Sequence, residues 1–158
     1  MPLVAYGASF VLEGPEGTRT VPAGEFFALP DVNPERENTL AEGEILTEIR
    51  VPSTLGVKSA YAEVRERAGF DWPLASAAVA VEEEGGSVKK ARVVLGQVAT
   101  IPWRATKAEE ALVGQPLGDD SAAAAGEAAA DGAEPMSDNG YKVDLVKVLV
   151  RRVVASLA

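Results

Sequence analysis

Tyr61, Arg65 and Arg67 are spaced so that, on an extended strand, all three share one face. An aromatic ring beside guanidinium groups can meet a flat cofactor and its phosphates. The same spacing also suits a packing pair across neighbouring strands. Trp72 precedes Pro73 and could cover a planar ligand. Trp103 follows Pro102 and suits either a stacking platform or an anchor that seats a helix on a sheet. The carboxylate pairs Glu109-Glu110 and Asp119-Asp120 are sequence neighbours, so on a helix their side chains diverge by about 100°. Glycosidase chemistry needs carboxylates facing across a gap, so these read as surface and capping groups. Gly85-Gly86 follows Glu82, Glu83 and Glu84, a negative wall to any diphosphate, and reads as a hairpin turn. Gly14 and Gly17 around Pro15-Glu16 read as another turn. No catalytic and no metal-ligating residue is assigned.

Cysteine and histidine are both absent from the 158 residues. This excludes disulfides, thiolate nucleophiles, iron–sulfur ligation, Cys/His zinc sites and histidine-based acid–base catalysis within the chain. An enzyme built from these residues alone must use carboxylates, Lys, Tyr or a borrowed cofactor. Net charge is −9, from 15 basic and 24 acidic residues. That balance disfavours nucleic acid and anionic membrane as partners. Lys89, Lys90 and Arg92 cluster, but beside the three glutamates, and read as opposite charges facing across a solvated hairpin. No apolar run reaches the ~20 residues of a membrane span. No basic start with an apolar segment after it is visible, so a cytoplasmic protein is expected.

The elements follow from periodicity and turn residues. Ala8–Glu13 and Thr18–Val21 predict a first hairpin, followed by a helical turn over Ala23–Phe27 and a proline-bearing loop over Leu29–Glu37. Glu44–Val51 alternates charged and apolar residues and predicts a half-buried strand. Ser59–Arg67, Leu74–Glu84 and Val88–Val98 predict an antiparallel meander with one polar and one apolar face. Helices are predicted over Arg104–Val113, stopped by Gly114, over Asp119–Ala130, capped by Asp119 or Asp120, and over Asp138–Leu157. In the last, Val143, Val146, Val150, Val153, Val154 and Leu157 form one apolar stripe, and Asp144 pairs with Lys147 outside. The fold class is α+β with segregated elements.

Four segments in a fixed order carry a resemblance: EGEILTEIRVP, SAYAEVRER, VVLGQVATIPWRATKAEEALVG and YKVDLVKVLVRR. Together they resemble the FAD-binding subunit of molybdenum hydroxylases, the family of xanthine dehydrogenase and aerobic carbon monoxide dehydrogenase. The resemblance implies that residues 1–50 are the tail of a flavin domain. It implies that residues 51–158 are a C-terminal domain, a three-stranded antiparallel sheet with a three-helix bundle. It starts in the middle of what would be the flavin domain, without the two Gly-rich loops and acidic residue that hold most of FAD in that family. It places one flavin contact at Leu46, and the shared strand face of Tyr61 and Arg65 offers these two as further flavin contacts. A lysine expected shortly after the aromatic is replaced by Ala62 and Glu63, with Lys58 a poor substitute. FAD retention by this chain alone is therefore expected to be weak or nil. The implied partners are iron–sulfur and molybdenum subunits, and an uncovered apolar face could drive homo-oligomerisation. The implied parent oxidises an aldehyde, a purine-like heterocycle or carbon monoxide, passing electrons through iron–sulfur clusters and FAD. Two other readings stand beside it: a non-enzymatic docking module, and a small-ligand binder using Tyr61, Trp72 and the meander face.

Overall fold

A computed structural model describes all 158 residues. The chain opens with a single helical turn, α1 (Pro2–Ala5), which the sequence pattern does not announce. β1 (Ser9–Gly14) and β2 (Gly17–Pro22) form the expected hairpin, and β3 (Ile45–Arg50) adds to the other side of β1. Phe26 is buried and meets both Phe10 and Phe27 edge-on, with ring centroids 4.9 and 5.3 Å apart. The adjacent phenylalanines thus serve one cluster through edge contacts rather than through one helix face.

The alternation in Glu44–Val51 predicts a half-buried strand, but β3 leaves all six residues exposed. It is the edge of its sheet, and its main packing partner is β1. A bulge also resets which of its residues share a face. Leu12 lies opposite Leu46 and Phe10 opposite Ile49, leaving Thr47 as the extra residue. One inserted residue inverts the side-chain parity of a strand. Leu46 and Ile49, which simple alternation assigns to opposite faces, therefore share the face of Leu12 and Phe10.

The second sheet runs β4 (Val57–Val64), β5 (Ala75–Glu84), β6 (Ser87–Gly96) and β7 (Trp103–Arg104), all antiparallel. It has four strands where three were expected. Trp103 and Arg104 pair with the end of β6 instead of opening the helix, because β6 would otherwise present unpaired backbone groups there. Gly85 and Gly86, at φ +62° and +82°, make the predicted tight turn. Lys90 reaches Glu82 at 2.9 Å and Lys89 reaches Glu84 at 3.1 Å, so the opposite charges do face each other.

The expected one-sided meander is covered on both faces along β5 and the adjoining end of β6, while β4 stays open on the face away from the helices. β5 buries seven consecutive residues, Ala75 to Val81. Its odd-numbered residues, with Val93 and Leu95 of β6, meet the helices. Ala78, Ala80 and Val94 face the other way, into a cluster with Val4, Ala5, Phe10 and Leu12. The small side chains of β5 permit this close approach from both sides, which two-sided burial of a strand requires.

The helices are α2 (Thr106–Leu112), α3 (Asp119–Ala129) and α4 (Tyr141–Ala155). Gly114, at φ +83°, lies just beyond α2 as expected. Asp119 and Asp120 occupy the first turn of α3 rather than its cap. Gly118 is the cap, held by reciprocal 3.1 Å bonds with the Ser121 hydroxyl. The stripe on α4 is buried as predicted from Val146 through Leu157, with Leu149 joining it and Val143 only partly covered. Valine is a poor helix former, so this burial is what holds α4. Lys147 does not pair with Asp144. It crosses to Glu127 of α3 at 2.7 Å, because the two helices pack side by side.

Candidate functional site

The sequence places Tyr61, Arg65 and Arg67 on one strand face. β4 ends at Val64, so only Tyr61 lies on the strand, and both arginines lie in the β4–β5 connection. Tyr61 points to the face opposite the helices, in the row shared with Ala78 and Val94. It is 46% exposed. Its hydroxyl donates to Glu63 Oε2 at 2.7 Å. Arg65 pairs with the same Glu63 and also donates to the Gly69 carbonyl at 3.1 Å. One carboxylate therefore gathers the phenol and the guanidinium. Partial burial, and then the Glu63 carboxylate as acceptor, push the Tyr61 phenol above its usual range. Glu63 is the residue that sequence reasoning missed in this role. Its signal is the two-residue spacing from Tyr61, which puts both on one strand face.

The row beside Glu63 continues the polar track. Glu63 is opposite Ser76, and Ser76 is opposite Gly96. The fully buried Ser76 hydroxyl donates to Gln97 Oε1 at 2.6 Å. Gln97 is the sole non-glycine residue at positive φ, +59°. Lys142 of α4 donates to its carbonyl at 2.7 Å. A left-handed glutamine costs energy, and these two bonds hold it there.

Leu46 does not join this group. It lies on β3 in the first sheet and is 38% exposed. Arg67 makes no ion pair and lies exposed, and Trp72 is exposed beside Phe70 at the tip of the β4–β5 connection. Trp103 pairs opposite Leu95 and lines an apolar cavity of about 420 Å³ with Val98, Ala129 and Val146. None of the three predicted contact residues lines that cavity.

Comparison with known proteins gives this arrangement its family. Residues 59–157 match the CO dehydrogenase flavoprotein C-terminal domain. The chain belongs to that family. Residues 1–54 match the FAD binding domain in molybdopterin dehydrogenase. The glyceraldehyde dehydrogenase medium chain of Sulfolobus acidocaldarius is 32% identical over 99% of this chain and 55% of its own length. The carbon monoxide dehydrogenase medium chain of Hydrogenophaga pseudoflava is 34% identical over 96% of this chain and 52% of its own. A solved structure of carbon monoxide dehydrogenase from Hydrogenophaga pseudoflava, lacking the Mo-pyranopterin moiety of the molybdenum cofactor, superposes with a TM-score of 0.86. It is 36% identical over 98% of this chain and 54% of the solved one. The chain thus spans about half the length of the relatives it matches.

The cofactor that this flavoprotein family implies is FAD. The residues present do not make a complete site for it. Tyr61 offers a ring face, but Glu63 takes its hydroxyl and binds Arg65. The adjacent glycines at 85 and 86 form a hairpin turn between strands, not a phosphate cradle at a helix start. Leu46 and Tyr61 stand on different sheets with open surface beside each.

Proposed function

We propose that this chain forms part of the FAD-carrying, electron-transferring subunit of a molybdenum hydroxylase. Electrons would arrive from iron–sulfur clusters and leave FAD for an acceptor. The observation that carries this reading is the likeness to carbon monoxide dehydrogenase over 98% of the chain. In this reading residues 1–50 belong to the flavin-binding portion and residues 51–158 to the C-terminal domain. Tyr61, Arg65 and Leu46 border a flavin that is gripped mainly by residues other than these. The exposed Leu46 and Tyr61 support that role, since each leaves apolar surface open to a flat ring. The partners are iron–sulfur and molybdenum subunits.

The test is expression of the chain with and without candidate iron–sulfur and molybdenum subunits. The expected result is little flavin absorbance with the chain alone and co-elution with those subunits when they are present. Failure to co-elute, or a tightly held cofactor of another kind in the isolated chain, would sink the reading. A second reading, a docking module without flavin, draws on Phe70 and Trp72. Both are more than four-fifths exposed at one tip, and aromatic side chains dominate binding hot spots. Co-elution of a colourless chain would favour it.

A further inference from the structure

Among the basic side chains, Arg92 stands in an unusual place. It is partly buried, yet its guanidinium makes no ion pair and no hydrogen bond within the chain. The group lies flat on Gly7, with its atoms 2.6–2.8 Å from where a Cβ would stand. Gly7 sits at φ +68°, so the backbone both favours glycine here and leaves the space the guanidinium fills. Arg92 opens onto a polar cavity of about 380 Å³ between the end of α1, the connection after β3 and the second sheet. Lys90 and Glu82 line the same cavity and neutralise each other at 2.9 Å. Ser53 and Thr54 border it from the connection between the sheets. Glu82 faces both Lys90 and Arg92, so the two cations outnumber the one carboxylate in the cavity, and the Arg92 N–H donors make no bond within the chain.

We propose that this cavity binds a phosphate-type oxyanion on the Arg92 guanidinium. A planar fork of donors suits two oxygens of such an anion, and hydroxyl side chains can serve the others. The volume exceeds what one carboxylate needs. The chain as a whole is acidic, so the attraction is local, and it weakens as salt rises. This inference is independent of the flavin reading, since neither Leu46, Tyr61 nor Arg65 lines the cavity.

Calorimetric titration of the full chain at low ionic strength tests it, with inorganic phosphate and ADP as separate probes. Saturable binding is expected, weakened by about tenfold or more in Arg92→Gln. Glu82→Gln removes the opposing carboxylate and should tighten binding. Arg92→Lys, which keeps the charge but loses the planar fork, covers the case in which Arg92→Gln fails to fold and should bind more weakly than the unaltered chain. Binding of phosphate but not ADP identifies a free anion, and tighter binding of ADP identifies the phosphate of a nucleotide. No saturable binding of either probe overturns the proposal. So does an Arg92→Gln chain that binds like the unaltered one.

Discussion

Arg104 and Glu109 are five residues apart and grip each other bidentately, Nε to Oε1 at 3.0 Å and Nη2 to Oε2 at 2.5 Å. Glu109 also accepts the Val93 backbone N–H at 3.1 Å and is only 8% exposed. One carboxylate thus ties α2 to both β6 and β7. Glu109→Ala leaves a buried N–H and a cation without partners, and should cost about 2–4 kcal/mol. Glu109→Gln keeps an acceptor for Val93 and should lose roughly half as much. Thermal melts of the two variants check the order, and equal losses would count against the shared anchor.

Two glycines should respond in opposite directions to alanine. A Cβ on Gly126 would stand 2.7 Å from the Lys147 carbonyl and 3.1 Å from Arg151 Cβ, so α3 and α4 meet there too closely for a methyl group. The helix propensity gained, about 1 kcal/mol, is outweighed by about 1–3 kcal/mol of overpacking. Gly140 already has helical angles, φ −54° and ψ −32°, with open space around it. Gly140→Ala should stabilise by about 0.4–1 kcal/mol through the unfolded state. Urea midpoints with unchanged slopes would show both shifts.

Arg19 donates twice to Glu44 at 2.7 Å, and the Ala41 N–H adds a third bond at 2.7 Å. The Arg19 bonds foremost, then the Ala41 N–H, hold this carboxyl at about 2 against an ordinary 4.5. A depressed acid stabilises the fold fully above its unfolded value and loses that stabilisation as pH falls through the folded one. The contribution of Glu44 should therefore fade between pH 4.5 and about 2. Melting temperatures of the unaltered chain and Glu44→Gln should differ at neutral pH and converge across that window. A gap that persists at the acid end would refute the assignment.

The phenol of Tyr61 should ionise above the ordinary 10.0, because burial and the Glu63 carboxylate both favour its neutral form. Ultraviolet titration should show a late tyrosine transition that is absent in Tyr61→Phe and moves down in Glu63→Gln. No change on Glu63→Gln would mean that the hydrogen bond does not form in solution.

The residue order by itself determined the hairpins, the meander and the three late helices, because turn glycines and apolar spacing act locally. Gly85-Gly86 and the α4 stripe were legible for that reason. What lies across the chain was not. The bulge at Thr47 turns Leu46 to the face of Leu12, and no local signal reports the pairing partner that creates it. The strand end at Val64 takes Arg65 off the sheet, and Glu63 then gathers it with Tyr61. The second face of β5 is buried only because α1 and β1 return to it from far along the sequence. Periodicity says which residues of an element share a side. Which side is covered depends on contacts between distant segments, and those exist only once the chain has folded.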